Sequence, residues 1–262
     1  MGTHSAQLSE MTAVQQTFLR SLLQEYKPRK ALELGVSAGG TTTILLDELP
    51  KNSTLLSVDI LETYYRDPSK QAGFIADSYY DPERHAKWIK HCGKDVSFLI
   101  KDFGYDIDFL LMDTMHRLPG EVLSFITLLP FLKDGAVVVF HDIALHMLYK
   151  IVQKEDEPLQ AYKKASYSCT LLYNAARGYK QACYGEMPPN IGYVALRKSE
   201  AMDHIFDLIN ILYMDWYDLP SNEDLYQQLD IIKDFYPVRW VNLILDAINY
   251  NLRMRDKPLL TR

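Results

Sequence analysis

The run AVVVFHD, Ala136 to Asp142, places five apolar residues in succession and ends on two polar ones. A strand with one wet face alternates apolar and polar residues. An unbroken run after the turn LKDG means burial on both faces, the condition of a central strand in a parallel sheet. Three other short runs have the same character: ALELG from Ala31, LLSVD from Leu55 to Asp59, and IDFLLMD from Ile107 to Asp113. Between the first two lie a glycine-rich loop and a helical stretch, Thr41 to Leu49, closed by Pro50. Strand, loop, helix, strand is a βαβ unit, whose two strands run parallel. The chain is therefore predicted to be α/β.

The remaining segments are placed around that frame. TAVQQTFLRSLLQEY carries Val14, Phe18, Leu19, Leu22, Leu23 and Tyr26 at helical spacing, with Thr12 and Gln15 spaced as a capping box and Pro28 ending the helix. Residues 60–86 have no clean period and read as an irregular excursion with one short helix. They hold Tyr64, Tyr65, Tyr79 and Tyr80, which could wall an acceptor pocket or pack on the sheet. KWIKH is a candidate third strand. Val96, Leu99, Ile100 and Phe103 form a helix with Asp95 at its N-cap and Gly104 closing it, and Pro119 opens the next helix, up to Pro130. A polar helical stretch follows from Asp142 to about Lys164. YSCTLLY and IGYVAL read as two strands joined by the loop NAARGYKQACYGEMPPN, and the rest is helical. No Gly/Ser linker interrupts the chain. The expectation is one α/β domain over residues 1–200 and a helical C-terminal extension over 201–262 packed on it, with Trp216 and Trp240 read as core.

Charge excludes some partners. Lys+Arg is 28 and Asp+Glu is 34, a net −6, so counterion release gives no help and nucleic acid is not an expected partner. No stretch nears the ~20 apolar residues of a membrane span, and MGTHSAQLSE has neither a secretory apolar core nor, with Ala6, a myristoylation pattern. Cys92, Cys169 and Cys183 match no zinc or redox spacing and read as free thiols, which points to the cytoplasm.

The loop after the first strand reads E-L-G-V-S-A-G-G-T, Glu33 to Thr41. Glycines there let a ligand approach the backbone closely. The dinucleotide pattern G-x-G-x-x-G fails at Ser37, and the phosphate loop G-x-x-x-x-G-K-[ST] fails at Thr41, which stands where lysine is needed. What remains is E-x-G-x-x-x-G-G with an acid, Asp59, at the end of the next strand, 19 residues past Gly40. An acid at that place can accept both hydroxyls of a ribose. Gly35, Gly39, Gly40 and Asp59 should therefore converge on one crevice that takes a ribose-bearing cofactor.

ALELGVSAGGTTT, the acid of LLSVD, IDFLLMDTMH and LLPFLKDGAVVVFHD together resemble the class I S-adenosylmethionine-dependent methyltransferases. Within them the chain is most similar to the branch whose fourth strand ends in D-x-x-H and whose fifth ends in H-D or E-D, often O-methyltransferases of sugars and other small molecules. The resemblance spans roughly residues 10–200. It implies a Rossmann-like, doubly wound, mostly parallel sheet of about seven strands, with IGYVAL antiparallel. It also implies S-adenosylmethionine as cofactor, with Glu33, Gly35, Ser37 and Gly39 along its methionine and ribose side and Asp59 on the ribose. The excursion after Asp59 replaces the usual helix, so adenine-side residues are not assigned.

Two acid/histidine pairs fall at strand ends: Asp113 with His116, and His141 with Asp142. Methyl transfer is an in-line displacement, and alignment alone can supply ~7–11 kcal/mol. The sequence reading makes His116 the general base and Asp113 its partner in positioning a hydroxyl acceptor. Asp113 and Asp142 are also hard oxygen ligands for Mg²⁺, with His141 as a third donor better suited to softer metals. A small-molecule acceptor and, from the apolar C-terminal helices, a homodimer are the partners that follow. Two competing functions stand beside this one: a nicotinamide-dependent oxidoreductase, opposed by the failed glycine pattern, and a non-catalytic cofactor-binding or assembly module of the same fold.

Overall fold

The computed structural model describes residues 9–147 and 167–261. Its chain order is α1 (Ala13–Tyr26), β1 (Lys30–Leu34), α2 (Gly40–Glu48), β2 (Thr54–Asp59), β3 (Thr63–Tyr64), β4 (Asp67–Gln71), α3 (Phe74–Tyr79), β5 (Lys87–Cys92), α4 (Ile100–Phe103), β6 (Ile107–Met112), α5 (Gly120–Leu128) and β7 (Leu132–His141). After residues 148–166 follow α6 (Ser168–Ala175), β8 (Gly178–Ala182), β9 (Ile191–Leu196), α7 (Lys198–Asp203), α8 (Ile205–Leu212), α9 (Asn222–Phe235) and α10 (Val238–Arg253). Seven strands form one sheet in the order β5-β2-β1-β6-β7-β9-β8. The first five run parallel, and β9 and β8 are antiparallel additions. This is the expected Rossmann-like sheet, with the four apolar runs at its centre and IGYVAL antiparallel to AVVVF.

The unbroken apolar runs are explained by layers on both faces. Leu110, Met112, Val138 and Phe140 point into a core shared with α5, α6 and the C-terminal helices. Phe109, Leu111, Val137 and Val139 point the other way, into a core with α1 and α2. Each such side chain contributes ~1.5–3 kcal/mol on burial, and a polar residue on either face must find a partner there, as Glu33 and Ser57 do. Thr12 and Gln15 make the predicted capping box of α1. Asp95 caps the 96–98 turn through Ser97 N, and Ser221 caps α9. Trp216 is enclosed in the first core, its indole N–H donating to Leu212 O, and Tyr236, the C-cap of α9, donates to Ile126 O of α5 at 2.7 Å. The C-terminal helices and the sheet thus share one core. No helix among the described residues is long and apolar enough to cross a membrane.

Four expectations need correction or fall outside the described residues. YSCTLLY is not a strand. Its buried positions, Ser168, Cys169 and Leu172, followed by Ala176, recur at three to four residues, and the segment is α6. The strand lies in the supposed loop, as GYKQA of β8. It is an edge strand with an alternating, half-exposed pattern, so no apolar run advertises it. LKDG is not a turn before β7 but a bulge within it: Ile107 pairs with Leu132 and Phe109 with Val137, leaving Lys133, Asp134 and Gly135 looped out. The excursion after β2 holds the expected short helix, α3, and also the β3–β4 hairpin, whose sequence is too polar to signal a strand. The polar helix expected up to Lys164 lies mostly outside the described residues.

Candidate active site

The site is built at the carboxyl ends of β1, β2, β6 and β7. The strand order reverses between β1 and β6, the switch point where open α/β sheets leave a crevice. Gly35 leaves β1 with φ +89°, and a Cβ placed on it would lie 1.9 Å from the backbone oxygen of Asp113. Gly35 therefore lets the loop press against the end of β6. Gly39 also has positive φ, and its Cβ would meet Gly73 and Ala76 at 2.9–3.0 Å. It makes room for α3, which is pinned to the loop by Gly73 N→Ser37 O at 2.8 Å and Ile75 N→Ala38 O at 3.0 Å. Gly40 begins α2, and no side chain caps that helix. Its first-turn amides suit an anionic group such as an amino-acid carboxylate.

Two expected cofactor residues are committed to the protein itself. Asp59 Oδ2 accepts from Val36 N and Ser37 N, each at 2.9 Å, and Oδ1 accepts from Leu61 N at 2.9 Å. A carboxylate has about four acceptor positions, so Asp59 chiefly fixes the glycine loop and keeps one position for a ribose hydroxyl rather than two. Glu33 does not face the crevice. It is fully enclosed, accepting from Thr42 Oγ1 and, at 2.6 Å, from Ser57 Oγ. Burial pushes its carboxyl up to about 8 against the lowering effect of those hydroxyls, with the charges of Asp113 and Asp59 adding to the rise. Ser37 lies in the loop with φ +52°, its hydroxyl 3.4 Å from Glu10.

Asp113, His116 and Asp142 lie together, and His141 joins them. His141 Nδ1 lies 2.8 Å from Asp113 Oδ1, and His116 Nε2 lies 3.0 Å from Asp142 Oδ2 and 3.5 Å from Asp113 Oδ1. The carboxylates are the outer members, with 19% and 17% of their side-chain surface exposed, against 6% and 7% for the rings. His116 and Asp142 both take left-handed backbone conformations, φ +53° and +59°. Such residues cost about 1–3 kcal/mol each, and three of the six non-glycine cases among the described residues (Ser37, His116, Asp142) fall in this site.

Electrostatics bears on the role read for His116. Burial alone would lower its pKa, but Glu121, Asp113 and Asp142 outweigh that and hold it well above the usual histidine value. Its far nitrogen, Nδ1, is 3.0 Å from Glu121 Oε1. Carboxylates on both sides of the ring favour its charged form, which works against the expected role of free base. His141 behaves alike: burial opposes its charge, but Asp113 and Asp142 raise it to about 9. Both aspartates are held below the usual carboxylate range. Burial pushes them up, and the facing histidines outweigh it.

Several partners were not identifiable from sequence. Gln15 Oε1 lies 3.2 Å from His141 Nε2, Asn190 Nδ2 donates to Asp142 Oδ1, and buried Glu121 accepts from Thr114 and Ser168 hydroxyls, each at 3.0 Å. Gln15 was visible only as a helix cap, and the others carry no motif. For a metal, the donor atoms that converge, from Asp113, His116 and His141, include two imidazole nitrogens. Mg²⁺ requires a near-octahedral oxygen shell, so this donor set does not fit it.

The sheet order and the strand-end crevice give the chain a Rossmann-like methyltransferase fold. Residues 32–143, from within β1 to just past β7, match the family model of a methyltransferase domain. No curated protein matches the sequence. Among solved structures the chain is similar to a protein of Staphylococcus aureus assigned as a caffeoyl-CoA O-methyltransferase, at 11% identity over 72% of this chain and 86% of that one, TM-score 0.52. It is similar to cofactor-bound Rv0187 from MTB, at 15% identity over 74% and 85%, TM-score 0.52. A third likeness is to the SAH-bound methyltransferase PaMTH1 of Podospora anserina, at 10% identity over 73% and 84%, TM-score 0.52. At these identities the likeness is one of fold.

Proposed function

We propose that the chain transfers the methyl group of S-adenosylmethionine to a hydroxyl of a small-molecule acceptor. One observation carries this reading: Gly35 brings the cofactor loop into backbone contact with Asp113, so the loop and the Asp113–Asp142 pair border the same crevice. The cofactor's carboxylate lies toward the start of α2, and Asp59 offers its remaining acceptor position to the ribose. In the displacement the C–S bond breaks as the O–CH₃ bond forms, S-adenosylhomocysteine leaves, and the hydroxyl proton passes to the carboxylate that accepts its hydrogen bond, Asp113 or Asp142, and from there to solvent. The exposed oxygens of Asp113 and Asp142 accept hydrogen bonds from the hydroxyl and hold it in line. His116 and His141, behind them, fix the two carboxylates. Alignment of this kind supplies ~7–11 kcal/mol of barrier lowering.

The test is calorimetry with S-adenosylmethionine and S-adenosylhomocysteine, followed by incubation of the labelled-methyl cofactor with a panel of hydroxylated sugars and phenols and mass spectrometry of the products. Binding with an O-methyl product supports the reading. Binding with no turnover across the panel favours the non-catalytic module, and absence of binding to either compound overturns the cofactor assignment.

A further inference from the structure

We propose that the outer face of α8 and α10 is a homodimer interface, in which two copies of the chain pack α10 against α10 in antiparallel fashion with Leu243 near the twofold axis. The proposal goes beyond the methyltransferase reading and does not depend on it.

The inner faces of both helices fill the first core. Their outer faces carry a strip of apolar side chains left partly uncovered. Phe206 lies in the first turn of α8 and Tyr213 at its C-cap, two turns apart on one face. Phe206 meets Trp240 with ring centroids 6.3 Å apart, and Tyr213 meets Tyr250 at 6.1 Å, so the two helices share one strip. Phe206 is 45% exposed and Tyr250 43%, while Tyr213, Trp240 and Leu243 are half-buried. A single exposed aromatic is ordinary, but aromatics gathered on adjoining helices have the composition of an interface.

The charges on the strip identify what covers it. Along α10, Arg239, Leu243, Asp246 and Tyr250 follow one another at steps of four, three and four residues, the spacing of one helix face. Arg239 holds its guanidinium 4.5 Å from the centre of the Trp240 ring. Arg239 and Asp246 are both exposed, and neither has an ion-pair partner among the described residues. An isologous interface must be complementary to itself. Two α10 helices laid antiparallel about a point midway between these residues meet that demand. Arg239 of each copy then stands opposite the partner's Asp246. Arg239 and Asp246 are separated by roughly 10 Å of helix rise, which leaves the centre to Leu243 and the partner's Leu243. A partner of one charge sign would match only one of the two residues. The open sheet edge at β8 is the poorer surface for a second copy. Its middle residue, Lys180, turns over the Tyr173 ring and donates to Asn174 O, and an inward-turned lysine keeps an edge strand from pairing.

The experiment is sedimentation equilibrium of the full chain, without cofactor, from about 1 to 100 µM. It is run on wild type, Arg239→Glu, Asp246→Arg, an equimolar mixture of those two variants, and the control Lys133→Glu, with circular dichroism confirming that each is folded. Wild type and Lys133→Glu should be dimeric at the upper concentrations. Each strip variant alone sets like charges opposite each other at both contacts and should weaken association by about 30-fold or more. Mixed, the two variants present opposite charges at both contacts and should form a heterodimer with close to wild-type affinity. Recovery on mixing separates lost pairing from lost folding. A wild type that stays monomeric across the range would overturn the proposal and leave the strip to a different protein. A dimer indifferent to both reversals, or no recovery on mixing, would overturn it as well. Because no cofactor is present, each of these outcomes leaves the methyltransferase reading as it stands.

Discussion

Replacing Glu33 by glutamine should make the protein more stable, and increasingly so as pH rises. The carboxyl is fully enclosed beneath the glycine loop, and burial raises its pKa from 4.5 to about 8. Below pH 4.5 it is protonated in both folded and unfolded chains and costs nothing. Between 4.5 and 8 the unfolded chain releases the proton while the folded chain keeps it, so wild-type stability falls as pH rises through that window. At about 1.4 kcal/mol per pH unit, the loss is on the order of 3 kcal/mol by pH 7 and 4–5 kcal/mol by pH 8. Glu33→Gln keeps a neutral group of the same shape, with an oxygen and an amide for Ser57 and Thr42, and has no proton to lose. Every other titrating group is common to both proteins and cancels in the difference. Urea unfolding of both proteins at pH 5, 6, 7 and 8 should give curves that nearly coincide at the acid end and separate by about 1.4 kcal/mol per unit above it. Parallel curves, with the same difference at pH 5 and pH 8, would refute the argument that Glu33 is a buried neutral acid.

Gly35→Ala should unfold the chain at far lower urea and abolish cofactor binding, since its methyl would meet the Asp113 backbone oxygen at 1.9 Å in a left-handed conformation; a variant with a wild-type midpoint would show that the loop and β6 are not in contact. Asp59→Asn should lower stability by about 1.5–3 kcal/mol, because it weakens charge-assisted bonds to Val36, Ser37 and Leu61, and should weaken S-adenosylmethionine as well. An affinity loss with stability intact would mean that Asp59 serves the ribose and not the loop. Asn190→Asp places a second carboxylate against Asp142 and should lower thermal stability at pH 7 but less at pH 4; equal losses at both would exclude repulsion as the cause.

The central strands were legible because layers on both faces demand apolar residues at most positions, and the parallel order followed from the helix between β1 and β2. β8 and the β3–β4 hairpin were not, because an edge or a solvated ribbon needs no apolar run. In YSCTLLY the apolar count was read without its period, and the period of buried positions is helical. At the site, the residues ending strands were readable from position alone: Gly35, Asp59, Asp113 and Asp142. What each side chain bonds to was not. Whether Asp59 faces a ligand or three amides depends on how the loop from Val36 to Ser37 folds back. The charge on His116 depends on Glu121, which no spacing rule connects to it.

The capping box of α1 has a reach beyond its own helix. Gln15 Oε1 accepts from Thr12 N at 2.9 Å, as a capping residue does, and the same oxygen meets His141 Nε2, 126 positions away in the chain. Helix ends ordinarily open and close freely, and their amides exchange with solvent quickly. Here the end of α1 is tied to a ring that faces the crevice, so a molecule that steadies His141 also steadies the first turn of the helix. Occupancy of the crevice should therefore be recorded as slower amide hydrogen exchange at Thr12, Gln15 and Gln16, a reporter that needs no knowledge of the acceptor.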